Sequence, residues 1–325
     1  LMSTPTLSSL VYAIRWEANE VVSVELRPAS DEVEFPPFEA GSHINLHLPN
    51  GLSRSYSLCN SDAERGRYVV GVARDRASRG GSLYVHQQLR VGSTVPIDPP
   101  RNNFKLDADA PRSILVAGGI GVTPMFSMLQ HLVTQGRPVE FIYCARSRKD
   151  AAFVESIEAL AREHAVPLTL HFDNEQSGPP YLHELLAGKG EGSHYYCCGP
   201  TPMLNAFEEA CAQLGWANTH IERFTAAPAP AAAPSSGFDV VCAKSSKTVP
   251  VPAGKSVLDA LIDAGLNPDY SCMEGVCGTC ETAVIECDGE LEHKDSVLTK
   301  SEKQAGKTMM ICVSRCKGTR LVLDI

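Results

Sequence analysis

The feature that most constrains this sequence is a group of four cysteines near its carboxyl end. Cys272, Cys277 and Cys280 follow the spacing C-x4-C-x2-C, and Cys312 comes after a gap. Thiolates at this spacing typically hold a plant-type 2Fe–2S cluster. Glycines between the cysteines allow the tight turns that a short loop around two irons requires. We therefore predict that these four cysteines are the ligands of such a cluster.

Three other interpretations of these cysteines compete with this prediction. A zinc site favours two CxxC pairs, and this group has only one. A disulfide framework requires an oxidising compartment, and buried free thiols are the simplest alternative. Cys316, four residues beyond Cys312, competes with it for the role of fourth ligand.

Length and charge limit the possible functions. The 325 residues predict two or three domains. We recognise no signal peptide and no run of 18 apolar residues that could span a membrane, so we expect a cytoplasmic protein. The formal net charge of −9 argues against a nucleic-acid partner.

Residues 1–107 alternate between short strands and turns, which predicts a small antiparallel β-barrel. The strand predicted at 42–48 alternates apolar and polar residues and is expected to be half-buried. In a strand at Arg54-Ser55-Tyr56-Ser57, the Arg and Tyr share one face, suited to a phosphate and a flat ring, and the two Ser share the other. An ordinary edge strand is the alternative.

A second segment of this region, Ser78-Arg79-Gly80-Gly81-Ser82, precedes an amphipathic run at 83–89. Glycines at a helix amino terminus expose backbone N–H groups to an anion. An ordinary helix cap is the alternative.

The middle of the chain predicts a doubly wound α/β domain. The apolar run 113–117 leads into Gly118-Gly119-Ile120-Gly121-Val122-Thr123-Pro124. Here Thr123 is expected to cap a helix over 125–133. Strands follow at 139–145, 168–172 and 194–198, and the last ends in Cys198-Gly199-Pro200 before a helix at 201–214. Buried thiols are the alternative interpretation of Cys197 and Cys198.

The carboxyl-terminal part predicts an Ala/Pro linker and an α+β domain. Residues 227–237 consist of Ala, Pro, Ser and Gly, and an extended conformation is expected for them. Strands at 238–243 and 247–251 are expected to pair as a hairpin. Ser256 begins a helix that is expected to stop near Gly265.

These motifs together resemble those of the phthalate dioxygenase reductase family, over essentially the whole chain. The segments that carry the resemblance are RSYSLCN, SRGGS, GGIGVTPM, CGP and the cysteine loop. The resemblance implies four segments: an FMN-binding β-barrel at 1–107, a ferredoxin–NADP reductase-like NAD(P)H domain at 108–226, a linker at 227–237 and a plant-type ferredoxin domain at 238–325.

The resemblance also implies roles for individual residues. The flavin site is predicted to comprise Arg54, Ser55, Tyr56, Ser57, Gly80, Gly81, Ser82 and Phe224. The nicotinamide site is predicted to comprise Gly119, Gly121, Thr123, Cys198, Gly199, Pro200 and Met203. Thr123, Cys198 and Phe224 are expected to act in catalysis, with core packing as the alternative for Phe224. A CVSR segment assigns the fourth cluster ligand to Cys312.

The cofactors expected from the resemblance are FMN, a 2Fe–2S cluster and NADH. The compact Gly80-Gly81-Ser82 loop is more similar to the FMN version than to the FAD version. The basic segment at 146–149 could hold the 2′-phosphate of NADPH, yet relatives with such residues typically use NADH. Asp173 could hold a ribose hydroxyl or cap a turn.

The predicted chain contains a site for a hydride donor, a flavin site and a site for a one-electron carrier. This combination predicts an electron-transfer reductase. NADH gives electrons in pairs, a flavin accepts them, and a 2Fe–2S cluster carries one at a time. We expect a monomer that binds transiently to a Rieske non-haem iron oxygenase acting on aromatic acids and passes electrons to it. The alternatives are a reductase for a haem-thiolate monooxygenase and an iron–sulfur redox sensor.

Overall fold

The structure is a computed structural model that describes residues 6–30, 32, 34–75, 79–176, 178–190, 192–225 and 236–325. The chain divides into two compact units, Thr6–Arg223 and a carboxyl-terminal unit that begins at Phe224. Ser78 and nearly all of the predicted linker 227–237 lie outside the described residues. The predicted domain boundaries therefore stay predictions. Among the residues described, no helix has the length and apolar character needed to span a bilayer.

The amino-terminal unit begins with a six-stranded antiparallel sheet. Its elements are β1 (Leu7–Ala18), β2 (Val21–Pro28), β3 (His43–His47), β4 (Ser53–Ser57), β5 (Tyr68–Ala73), α1 (Gly81–Gln87) and β6 (Thr94–Ile97). The strands are ordered β4-β3-β6-β1-β2-β5. A bridge between Leu58 and Val70 links the chain just after β4 to β5, so the sheet curls toward closure. Apolar side chains such as Ile44 and Ile97 fill the interior, as the predicted barrel requires.

The expectation that strand 42–48 is half-buried is wrong, because both of its faces are covered. Asn45 is 1% exposed, and its amide donates to Asp98 at 2.7 Å. The Asn45 carbonyl oxygen accepts from the Ser55 hydroxyl at 2.5 Å. These hydrogen bonds offset the cost of removing polar side chains from water, a compensation that hydropathy alternation does not reveal.

A five-stranded parallel sheet follows in the same unit. Its elements are β7 (Ser113–Gly118), α2 (Val122–Thr134), β8 (Val139–Ala145), α3 (Val154–Glu163), β9 (Leu168–Phe172), α4 (Leu182–Leu186), β10 (His194–Cys198), α5 (Thr201–Leu214) and β11 (Thr219–Glu222). The strands are ordered β11-β10-β7-β8-β9. Successive strand residues face opposite sides. Leu115 and Cys198 therefore pack with α2 and α3, whereas Val116 and Cys197 pack with α4 and α5.

Thr123 does not cap α2, contrary to the sequence prediction. The turn Gly119–Gly121 already coils as a 3₁₀ helix, so α2 begins at Val122 and its N-cap is Gly121. Thr123 lies inside the first turn, where its hydroxyl donates to the Ile120 carbonyl at 3.1 Å. Thr123 therefore lies within the helix and bonds to the backbone of the preceding turn. The spacing of residues in the sequence did not indicate this arrangement.

The carboxyl-terminal unit is a mixed sheet with short helices, as the α+β prediction requires. Its elements are β12 (Phe238–Cys242), β13 (Lys247–Val251), α6 (Val257–Asp263), β14 (Glu281–Cys287), β15 (Leu291–Glu292), α7 (Lys300–Ala305), β16 (Thr308–Met310), β17 (Arg315–Cys316) and β18 (Arg320–Leu323). The main sheet is ordered β13-β12-β18-β14-β16, and β15 pairs with β17. The predicted cap is confirmed: Ser256 Oγ accepts from the Asp259 N–H at 3.0 Å.

Candidate functional site

The four predicted cluster cysteines are buried at one end of the carboxyl-terminal unit. They lie in the loop between α6 and β14 and just after β16, and each is at most 8% exposed. The Sγ atoms of Cys280 and Cys312 are 3.2 Å apart, and the Glu274 N–H donates to Cys272 Sγ at 3.3 Å. Several buried thiols with backbone N–H donors around them form a donor set that suits an iron–sulfur cluster.

A glycine shapes the loop that carries the first three of these cysteines. Gly275 has a φ of +68°, and a Cβ there would lie 2.6 Å from a Val313 methyl and 3.1 Å from the Asp295 Cα. Both the turn and the close approach therefore exclude a larger side chain. The backbone of the cysteine loop therefore packs directly against the segment that follows Cys312. This packing gives the loop a defined shape, as the binding of a compact cofactor requires.

Cys316, the competing fourth ligand, has a different neighbour. Its Sγ lies 2.9 Å from Cys287 Sγ, at the far end of β14 from Cys280. Cys312 is the cysteine that the structure brings to Cys280. This arrangement favours Cys312 as the fourth ligand, as predicted.

The predicted flavin residues lie on β4 and at the start of α1. A Cβ on Gly81 would lie 2.6 Å from Arg54 Cγ, so the arginine side chain rests directly on that glycine. The guanidinium donates to the carbonyls of Ser53 at 2.7 Å and Arg79 at 3.3 Å. The structure thus brings together the cationic side chain and the glycine loop of the predicted phosphate site.

The other predicted flavin residues lie in different environments, because Ser55 and Tyr56 are on opposite faces of β4. Burial raises the pKa of Tyr56 to about 12, which keeps its hydroxyl neutral. Ser57 is buried and Ser82 Oγ accepts from the Asp75 N–H at 3.2 Å. Ser55 donates to Asn45 inside the barrel, on the face opposite to Tyr56. Ser55 therefore has a structural role that its predicted place in the flavin site did not include.

Phe224 follows the last strand of the amino-terminal unit and is 38% exposed. That exposure disfavours the alternative in which its ring packs in a core. Its contact with the flavin stays a prediction.

The two predicted nicotinamide segments meet at the carboxyl ends of β7 and β10. A Cβ on Gly121 would lie 2.2 Å from the Cys198 carbonyl oxygen, and one on Gly118 would lie 2.3 Å from Met203 Sδ. Only glycine permits these approaches. Ligands of doubly wound sheets bind at this edge, so the positions fit a nucleotide site.

A cavity of about 710 Å³ opens beside these segments. Gly119, Pro200 and Met203 line it, and so do Arg146 and Asp173. A cavity of this size and wall chemistry fits a dinucleotide portion. Thr123 and Cys198 do not line it, because they are 1% and 0% exposed and lie behind its wall.

One of the three basic side chains of the segment at 146–149, Arg148, is already paired. The Arg148 guanidinium binds the Glu158 carboxylate through two hydrogen bonds of 2.9 and 2.5 Å. Ser147 donates to Asp150 at 2.6 Å. Arg146 is the arginine of this segment that faces the cavity, where Asp173 also lies. The pairing with Glu158 therefore engages Arg148, and the cavity holds one cation and one acid from these segments.

Glu222 is a site residue to which the sequence-based predictions gave no role. It is the last residue of β11, paired in register with Cys198. Its Oε2 accepts from Ser57 Oγ at 3.4 Å and lies 4.0 Å from Cys198 Sγ. Burial raises the pKa of Glu222 to about 8 and also raises that of Cys198. The signal that could have found it is its position, two residues before Phe224, which was already assigned to the flavin site.

Comparisons with known proteins agree with this geometry. The oxidoreductase NAD-binding domain family matches residues 115–209, and the 2Fe-2S iron-sulfur cluster binding domain family matches residues 240–317. The phenoxybenzoate dioxygenase subunit beta of Ectopseudomonas oleovorans is 46% identical over 98% of this chain and 97% of its own length.

Solved structures also match nearly the whole chain. Phthalate dioxygenase reductase, described as modular for electron transfer from pyridine nucleotides to 2Fe-2S, is 35% identical, with a TM-score of 0.71 over 98% of both chains. An intact type IV self-sufficient cytochrome P450 monooxygenase is 39% identical, with a TM-score of 0.87 over 98% of this chain and 41% of that chain. This chain therefore belongs to the phthalate dioxygenase reductase family and is an NADH-dependent oxidoreductase that holds FMN and a 2Fe–2S cluster.

Proposed function

We propose that this protein is the reductase component of a two-component Rieske non-haem iron oxygenase that hydroxylates or demethylates aromatic acids. The observation that carries the proposal is its match along the whole length of a dioxygenase subunit, with 97% of that relative covered. The oxygenase is then a separate protein that must dock transiently. We propose further that the reductase is a monomer in the cytoplasm, and its net charge of −9 disfavours nucleic-acid partners.

When bound, FMN would supply the chemistry that links a two-electron hydride donor to a one-electron carrier, so the chain itself needs only to bind and orient the cofactors. Arg54 and the N–H groups of Gly80, Gly81 and Ser82 would hold the FMN phosphate. Arg54 is already fixed by two backbone carbonyls. This rigidity limits the entropy lost when the phosphate binds.

Ser57 and Glu222 would orient the reacting ends of the flavin and the nicotinamide, and Cys198 would act through its contact with Glu222 from behind the cavity wall. At neutral pH a carboxyl with a pKa of about 8 is largely protonated. The Glu222 side chain is therefore largely uncharged, and its Oε2 accepts a hydrogen bond from the Ser57 hydroxyl. An uncharged carboxyl suits hydride transfer because it places no fixed negative charge beside the reacting atoms.

Gly119, Pro200 and Met203 would line the path of NADH, and Asp173 would accept from a ribose hydroxyl. Arg148 is unavailable for a 2′-phosphate while it is paired with Glu158. The preference for NADH over NADPH follows from this distribution of charge. Gly121 would act indirectly, since its missing side chain allows the turn to approach Cys198.

Cys272, Cys277, Cys280 and Cys312 would ligate the cluster. Plant-type clusters have potentials near −400 mV and Rieske centres lie at roughly −150 mV or above. Transfer from this cluster to a Rieske centre is therefore downhill.

The test begins with the purified protein under anaerobic conditions. NADH should bleach both the flavin and the cluster absorption, and the flavin extracted by denaturation should be FMN by chromatography. Electrons should then reach a Rieske oxygenase faster than a haem-thiolate monooxygenase. A cluster that NADH leaves oxidised would favour the redox sensor, and extracted FAD would contradict the assignment of the Gly80–Ser82 loop.

A haem-thiolate monooxygenase is the second candidate partner. The observation in its favour is the TM-score of 0.87 with the reductase portion of a self-sufficient cytochrome P450. In that protein the two activities share one chain, whereas this chain matches separate reductase subunits over their full length. Comparing the two acceptors in the transfer assay decides between them.

A further inference from the structure

A second pair of thiols lies in the carboxyl-terminal unit, apart from the predicted cluster ligands. Cys287 ends β14 and Cys316 ends β17, and their Sγ atoms are 2.9 Å apart. The proposed electron transfer uses neither sulfur. Their proximity therefore calls for a separate explanation.

Backbone contacts hold the two cysteines in this position. A Cβ on Gly289 would lie 2.4 Å from the Gly318 nitrogen, so the turns that follow the two cysteines are packed together. The Asp288 N–H donates to the Arg320 carbonyl at 3.1 Å and links the same two turns. The sulfur atoms are thus brought together by the main-chain packing of the two turns.

A metal site is the first alternative, because Asp288 lies close enough to complete a group of three donors. However, its carboxylate is already occupied. It accepts from the Thr319 N–H at 2.9 and 3.1 Å, from the Thr319 hydroxyl at 2.5 Å and from the Arg320 N–H at 2.9 Å. The remaining two thiols are fewer than the four ligands of a structural zinc. The geometry favours dithiol chemistry.

We propose that Cys287 and Cys316 are a peroxide-sensitive modification site that forms a reversible disulfide. Cys287 is partly exposed and Cys316 is 3% exposed, so Cys287 reacts first. Its sulfur attacks hydrogen peroxide, the O–O bond breaks, and one water leaves as a sulfenic acid forms. The Cys316 sulfur then attacks that sulfur, the S–S bond forms, the S–O bond breaks, and a second water leaves. Two thiols are oxidised and one peroxide is reduced to two waters.

Closing this bond would constrain the segment that carries Cys312. The two cysteines are 29 positions apart, and α7, β16 and Cys312 lie between them. A cross-link restricts such a loop in the unfolded chain. We therefore expect the oxidised protein to unfold at a higher temperature, by on the order of 5 °C, and to lose iron more slowly. The iron readout rests on the proposed cluster ligation, whereas the disulfide itself does not.

The test uses the full-length protein with its cofactors. After brief treatment with equimolar hydrogen peroxide, free thiols are alkylated in denaturant, and the chain is cut with trypsin and a glutamate-specific protease. Cleavage after Glu286 and Glu290 isolates Cys287, and cleavage after Arg315 and Lys317 isolates Cys316. Neither fragment contains a predicted cluster ligand. Mass spectrometry should find the two fragments linked, and dithiothreitol should release them.

Two variants and one control complete the design. Cys287→Ser and Cys316→Ser should each abolish the linked fragment and the rise in unfolding temperature. Cys242→Ala, at a buried cysteine of the same unit, should abolish neither. If both thiols of the unmodified chain are alkylated after peroxide, the proposal is wrong. It is equally wrong if the protein contains stoichiometric zinc that either serine variant loses. Both readouts are independent of NADH-driven reduction, so failure here is distinguishable from failure of the proposed function.

Discussion

Ser57 on β4 donates a hydrogen bond to Glu222 on β11 across 3.4 Å, which links the antiparallel sheet to the parallel sheet of the same unit. The two residues are 165 positions apart in the chain. Their meeting places a partly buried carboxyl beside both the predicted flavin strand and Cys198.

The first prediction concerns the pH dependence that Glu222 gives to stability. Its pKa is raised from an ordinary 4.5 to about 8 in the folded protein. Between these values the folded state binds a proton that the unfolded state does not. Stability should therefore fall as pH rises through this range, by up to about 1.4 kcal/mol per pH unit. Glu222→Gln should remove that slope, as measured by chemical unfolding from pH 5 to 8.

The pH dependence of activity provides a second test of the role of Glu222. Glutamine keeps a hydrogen-bond partner for Ser57 and cannot ionise, so NADH-driven ferricyanide reduction should keep its rate at neutral pH and lose the alkaline decline that ionisation of Glu222 causes. Glu163→Gln, at an exposed carboxylate outside this pocket, is the matched control. An unchanged pH profile in the Glu222 variant would show that the carboxyl is a packing residue only.

The second prediction separates the two candidate fourth ligands. Cys312→Ser should lower the iron content and visible cluster absorption to near the background, because its thiolate lies beside Cys280. Cys316→Ser should retain both, because its sulfur contacts Cys287. Iron analysis of the two variants purified in parallel is the measurement. Loss of the cluster in the second variant alone would reverse the assignment.

The third prediction concerns coenzyme choice. Asp173 and Arg146 both line the cavity, and an acid there repels a 2′-phosphate. Asp173→Ser should therefore shift the ratio of kcat/KM for NADH over NADPH toward NADPH by about tenfold, equivalent to about 1.4 kcal/mol. Steady-state kinetics with both coenzymes measures it. Asp109→Asn, at an exposed acid that does not line this cavity, should leave the ratio unchanged. An unaltered ratio in the Asp173 variant would remove this residue from the coenzyme site.

The fourth prediction tests the close approach at Gly121. Its φ is −61°, so alanine is tolerated by the backbone, but the added Cβ would lie 2.2 Å from the Cys198 carbonyl oxygen. Gly121→Ala should cost about 1–3 kcal/mol of stability and raise the KM for NADH. Thermal unfolding and kinetics measure these effects. Gly119→Ala, where a Cβ has open space, isolates the cost of a positive φ. Full stability and unchanged KM in Gly121→Ala would refute the proposed constraint.

Local patterns predicted several elements to the residue. Strands Val139–Ala145, Leu168–Phe172 and His194–Cys198 and helix Thr201–Leu214 all have the predicted bounds. Each is delimited by glycine, proline or polar turns, and each has a strong apolar pattern. Prediction failed where side chains at distant positions interact. The burial of Asn45 depends on Asp98, and α2 begins early because of the turn that precedes it.

The kinds of site in this protein could be predicted from local patterns, because cysteine spacing and glycine-rich turns are constraints that a few neighbouring residues impose. Which side chains share each site depends on the folded arrangement of the chain. It placed Glu222 with Ser57 and Cys198, buried Thr123 behind the cavity wall, and gave Cys316 to Cys287. These pairings join residues that are far apart in the chain, and they follow from strand order, register and main-chain packing.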